Sequence, residues 1–230
     1  MKKLTILGLF LISLKSMGVG KVKTEDEFRT VVKRFNEFWQ PRVKAEMGKD
    51  LIVEALWNEE RANAHATRDR DYNLVIKVNG GMARAQGMDE DGLVFILCHE
   101  LGHHLGGTPK KKRGNTDIDS WSSAEGQADY FAANECLPEM FKGDDKKLSD
   151  VEIISPFCQE DEVCERVLKT GVTIGNVFAI LKNTDEPSIH HHSQVQVSET
   201  NLGHPDVQCR LDTIKNGALG EERPECWFRD

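Results

Sequence analysis

Apolar positions recur along this chain with two periods, and the changes of period mark where elements begin and end. Over residues 24–47, Phe28, Val31, Val32, Phe35 and the pair Phe38-Trp39 fall at helical spacing and predict one buried helix face. Thr24 can cap that helix, acidic residues fill its first turn, and Pro41 is expected to end or kink it. Residues 51–57 are rich in aliphatic side chains and predict a strand. Residues 73–78 alternate apolar and polar positions and predict a second strand, closed by a turn or bulge at Asn79-Gly80-Gly81. Asn63-Ala64-His65-Ala66 lies between the two, with His65 read as structural rather than as a ligand. An apolar run at 93–97 leads into a helix over 89–105. Asp89, Glu90 and Asp91 complement its dipole, and Gly106-Gly107 ends it, because glycine accepts the left-handed conformation of a C-cap. Residues 106–120 are polar and predict a loop that shapes access to the end of that helix. Helices over 122–137 and 160–182 follow, then a long polar connection over 183–203. The fold class is α+β, mainly helical with a small β-sheet.

Composition narrows the picture. With 230 residues, 39% apolar and 30% charged, the chain suits one globular domain, or one domain with a tail. A net charge of -8 argues against general nucleic-acid binding. The basic run 110–113 is read as a solvated loop tip. Lys2 and Lys3, an apolar stretch over 4–14 and small residues over 16–20 read as an export signal. The stretch is short for a bilayer span. The expected organisation is a signal peptide over 1–20 and one domain over 21–230, periplasmic or secreted, with no stable membrane span after cleavage. Six cysteines in an exported chain suggest disulfides.

The chemistry concentrates at Cys98-His99-Glu100-Leu101-Gly102-His103-His104. Residues four apart share a helix face, so His99 and His103 can aim two imidazoles at one metal ion. Glu100 follows the first ligand, where its carboxylate can reach a metal-bound water. One zinc ion suits this set, since it takes neutral imidazoles and a catalytic site keeps a position open for water. His104 is expected to face away. In the next helix, Ser122 and Glu125 fit a capping box. The sharper reading makes Glu125 the third zinc ligand and has Asp129 accept the free N–H of His99, fixing its tautomer. The run His190-His191-His192 is read as a solvated loop, since three adjacent histidines cannot all face one metal on a regular element.

His99-Glu100-Leu101-Gly102-His103 followed by Glu125-Gly126-Gln127-Ala128-Asp129 resembles the HtpX and CAAX-prenyl-protease type of zinc metalloendopeptidase, a gluzincin group. Asn63-Ala64-His65-Ala66 resembles the family's strand before the catalytic helix, and His204-Pro205 with Arg210 resembles its late His-Pro…Arg segment. The four segments span residues 63 to 210 in the family's order. The membrane helices of many members are absent, and six cysteines are unusual for the cytosol-facing ones. The resemblance implies a zincin-type domain in which His99, His103 and Glu125 hold zinc, with Glu100 as base and Asp129 behind His99. His204 is implied to approach the metal, either steadying the oxyanion or closing the site. Arg210 is expected to hold its segment through a carboxylate.

The function expected is cleavage of extended or unfolded protein segments, with the substrate adding itself to the 73–78 strand. The alternatives are a catalytically silent zinc-binding or chaperone-like module, and a disulfide-stabilised domain without metal. For the cysteines, an antiparallel helix pair with His99 beside Asp129 puts Cys136 about 9 Å along the axis from Cys98, too far for a bridge. Cys98 is then expected to be a buried thiol, Cys136 to pair with Cys158 or Cys164, and Cys209 to pair with Cys226, stapling the tail.

Overall fold

The computed structural model describes Val22, residues 24–149 and residues 151–230. The export signal read at 1–20 lies outside the described residues. Helix α1 (Glu25–Met47) starts in a complete capping box. Glu27 N–H donates to Thr24 Oγ1 at 3.2 Å, and Thr24 N–H donates to the Glu27 carboxylate at 3.0 Å. Pro41 does not end the helix. It lies on the exposed face, where solvent can bond the carbonyl it leaves free, and the helix runs on to Met47. Phe28, Val31, Val32, Phe35, Trp39 and Val43 form the buried face.

Strands β1 (Leu51–Leu56), β2 (Ala64–Arg68) and β3 (Leu74–Asn79) form one sheet in the order β1-β3-β2. β3 pairs parallel to β1 and antiparallel to β2. Leu74, Val75, Ile76 and Val78 are all buried, so the centre of the sheet is covered on both faces. β3 is therefore the inner strand, with both edges already paired, and it cannot accept a substrate strand as the sequence reading expected. Asn79-Gly80-Gly81 does not form a turn or bulge; it opens a short helix, α2 (Gly80–Ala83).

Helix α3 (Glu90–Leu105) runs through the core, with Leu93, Val94, Phe95, Leu97 and Leu101 fully buried. Asp89 caps it by accepting from Gly92 N–H at 2.9 Å. The left-handed residue at its end is Gly107 (φ 77°), not Gly106. The segment after it is not all loop. It folds into a hairpin of β4 (Lys110–Lys112) and β5 (Asp119–Ser123). The next helix accordingly starts late, as α4 (Glu125–Phe131), continued by a π-helical segment (Ala132–Cys136) and α5 (Leu137–Phe141). The Ser122/Glu125 capping box does not form. Ser122 and Ser123 stay in β5, where Ser123 Oγ donates to Gly107 O at 2.7 Å, and Ala124 is the cap residue. α3 and α4 pack almost backbone on backbone. A Cβ on Gly102 would stand 2.9 Å from Ala128 Cα.

Three disulfides join the six cysteines. Cys209–Cys226 forms as expected. Cys98 is not a free thiol: it is bonded to Cys136, with the Cα atoms 5.6 Å apart. The regular α-helical count from Asp129 does not hold as far as Cys136: residues 132–136 are π-helical, with wider turns that carry an extra residue. The close approach at Gly102 brings the two backbones within disulfide reach. Cys158 consequently pairs with Cys164, joining α6 (Ser155–Cys158) to α7 (Glu162–Lys182).

The last helix, α8 (Val207–Leu219), packs on α7 and α4. It is capped by Asp206, one residue after Pro205. The stapled tail lays Trp227, fully buried, against Gly126 of α4. Among the described residues no helix is long and apolar enough to cross a membrane. The fold is α+β, with small sheets beside the helix that carries the two histidines.

Candidate metal centre

α3 carries His99, Glu100 and His103, and α4 opens with Glu125. The Gly102–Ala128 approach holds the two helices close enough for these side chains to meet. Ligand atoms of His99, His103 and Glu125 all lie within 4.8 Å of one another, and all three residues are buried. Glu125 Oε2 is 3.1 Å from His99 Nε2 and 3.6 Å from His103 Nε2.

Each ring is oriented from behind. His99 Nδ1–H donates to Asp129 Oδ1 at 2.7 Å, and His103 Nδ1–H donates to the carbonyl of Ser123 at 2.9 Å. A carbonyl only accepts, so in neutral His103 the hydrogen sits on Nδ1 and the lone pair of Nε2 faces Glu125. Asp129 imposes the same tautomer on neutral His99. Two nitrogen lone pairs thus converge on a carboxylate oxygen, an arrangement that calls for a cation between them. Two imidazoles and a carboxylate are the donor set of a zinc site with one position left open. These residues fit the metal the sequence implies.

The electrostatics of the cluster taken without a metal put a proton, rather than a lone pair, between His99 and Glu125. Burial opposes a charge on His99, but the Asp129 and Glu125 carboxylates outweigh it and raise the ring to about 10. Burial would raise Glu125, yet the imidazoles of His103, His204 and His99 hold its carboxyl far below the usual carboxylate range. Asp129, fully buried, is held low by Arg210 and then His99. Both Arg210 bonds to Asp129 measure 2.7 Å. Arg210 thus finds the carboxylate the sequence left unnamed.

The other expected residues fall as follows. Glu100 is buried and, among the described residues, forms no hydrogen bond or ion pair, so its carboxylate is uncommitted. His204 Nε2 lies 3.0 Å from Glu125 Oε2, with its side chain 55% exposed, so it reaches the site from the open side. His104 turns away, stacks on Trp121 with ring centroids 4.7 Å apart, and faces Val75 O. His65 is exposed on β2 and lies outside the cluster. His190, His191 and His192 are exposed.

Sequence reasoning missed Lys111. The run 110–113 is not simply a solvated tip. Lys111 Nζ donates to Glu125 Oε1 at 2.5 Å, while Lys110 Nζ bonds Trp121 O and Ser123 Oγ. The available signal was a hairpin: polar strands on either side of Gly114-Asn115.

No family model matches the chain, and neither a curated protein nor a solved structure proved similar to it. The His-His-Glu cluster in a mixed helical and sheet fold is consistent with a generic zincin-type metal site.

Proposed function

We propose that this chain is an exported zinc metalloendopeptidase related to the HtpX and CAAX-prenyl-protease kind. Its metallopeptidase domain would span 21–230, with the tail stapled by Cys209–Cys226. The observation that carries the reading is the convergence of His99, His103 and Glu125 beside an uncommitted Glu100. A silent binding module has no use for a buried carboxylate at that position.

His99, His103 and Glu125 would hold the zinc. When bound, zinc supplies Lewis acidity, making a water nucleophilic near neutral pH and polarising the scissile carbonyl. Glu100 takes the proton of the attacking water and delivers it to the leaving amine. His204 donates a hydrogen bond to the developing oxyanion. Asp129 and Arg210 keep the His99 ring in place. Since β3 is closed on both sides, an extended peptide would pair with the outer edge of β2, the edge strand that lies against α3. Main-chain pairing favours unfolded or extended protein segments, which suits quality control or maturation outside the cytoplasm.

Casein cleavage by wild type and Glu100→Gln tests this reading. Equal zinc content with cleavage falling about 100- to 10,000-fold in the variant is expected. Zinc in both and cleavage in neither would move the reading to a zinc-binding module, or to a site closed by His204. His204→Ala separates these two, because it restores cleavage only in a closed enzyme.

A further inference from the structure

We infer that Lys111 is a positioning residue of the metal centre, reserving one oxygen of Glu125 so that the carboxylate ligates through the other. The inference rests on the metal-centre reading above.

The two oxygens of Glu125 already have separate partners. Oε2 faces the three ring nitrogens of His99, His103 and His204, at 3.1, 3.6 and 3.0 Å. Oε1 takes the Lys111 ammonium. A carboxylate free to chelate would fill two positions on a cation and crowd out the water that a catalytic zinc site keeps. The lysine removes that choice. Arg210 does not compete for this oxygen, because both its bonds go to Asp129.

The position of Lys111 is built rather than incidental. The β4–β5 register shifts between Lys110 and Lys112, and at this irregularity Lys111 leaves the hairpin and reaches Glu125. Those two lysines bind within the hairpin: Lys110 to Trp121 O and Ser123 Oγ, Lys112 to Asp119 at 2.7 Å. The partner strand β5 ends in Ser123, whose carbonyl orients His103. One hairpin therefore sets two of the three ligands, one through a main-chain acceptor and one through an ammonium donor.

The test uses cobalt in place of zinc, because four-coordinate Co2+ absorbs strongly in the visible while five- and six-coordinate Co2+ absorb weakly. Wild type, Lys111→Met, Lys111→Gln, Lys111→Arg and Lys112→Met are loaded with Co2+ after thermal melts confirm folding. Both neutral variants at position 111 are expected to bind about tenfold more weakly or worse, the scale for losing a group that supports a ligand. Their bands should also weaken. Lys111→Arg keeps a charge and a donor and should retain the wild-type band, and Lys112→Met should match wild type. An unchanged band and affinity in Lys111→Met and Lys111→Gln overturns the inference. Equal losses in Lys111→Met and Lys112→Met also overturn it, since the effect would then belong to hairpin stability. A wild-type protein that takes no Co2+ removes the metal centre itself, and this inference with it.

Discussion

Arg210 grips Asp129 through both carboxylate oxygens, and the same Oδ1 that accepts Arg210 Nη2 also accepts His99 Nδ1, each at 2.7 Å. This ties α8 to α4 and α3 at one buried point. It explains why a residue so late in the chain belongs to the site. Arg210 is buried over the Phe178 ring, 4.0 Å from its centroid, so the pair is shielded from solvent.

Asp129→Asn should weaken zinc binding by roughly 10- to 100-fold, because the amide no longer stabilises the Nδ1–H tautomer as a carboxylate does. Competition with a chelator measures this. Arg210→Met leaves Asp129 buried without its cation and should cost about 3–5 kcal/mol in urea unfolding. Asp129→Asn combined with Arg210→Met should cost less than the sum of the two.

A second buried pair lies away from the site. Asp91 accepts from Arg166 Nε at 3.0 Å and Nη2 at 2.9 Å, joining α3 to α7. Burial would raise Asp91, but Arg166 and then Lys146 outweigh it and hold the carboxyl below its usual value. A depressed carboxylate contributes stability that is complete above the unfolded-state pKa of about 4 and is lost as pH falls through the folded-state value. Asp91→Asn should therefore be less stable than wild type by about 3 kcal/mol near neutral pH. The gap should close on acidification below about pH 4. Denaturant titrations of both proteins across that range read it directly.

The helix periods and the His-Glu-x-x-His spacing were legible because each rests on local geometry. His99 and His103 needed only the helix repeat, and Glu125 and Asp129 only a second helix laid beside it. What was not legible depended on departures from regular geometry or on distant pairing. The π segment at Ala132–Cys136 changed the reach of Cys136, so Cys98–Cys136 was missed. Strand order is not encoded in the alternation of β3, so its burial between β1 and β2 was missed too. Lys111 was hidden because a run of like charges usually marks a solvated surface. Here a turn at Gly114 folded it back onto Glu125.

The bond between Cys98 and Cys136 closes a loop of 38 residues directly beside His99. Replacing both cysteines by alanine should cost roughly 4 kcal/mol on loop entropy alone. Both are fully buried, so dithiothreitol should leave this bridge intact in the folded protein and cleave it once denaturant is added. Thiol labelling with and without denaturant distinguishes the two states.

Gly126 has no room for a side chain. A Cβ there would stand 2.3 Å from the Trp227 indole, so Gly126→Ala should destabilise by about 1–3 kcal/mol. Adding Trp227→Ala removes the clash. The double variant should then be no less stable than Trp227→Ala alone, as thermal unfolding of the set would register.

Whether the cluster holds zinc is read by elemental analysis of the purified protein beside His103→Ala and Glu125→Ala. One zinc per wild-type chain is expected, lost from both variants while the disulfide-linked fold persists. A wild-type protein without bound zinc, or variants that keep it, would contradict the metal centre from which the rest of the account follows.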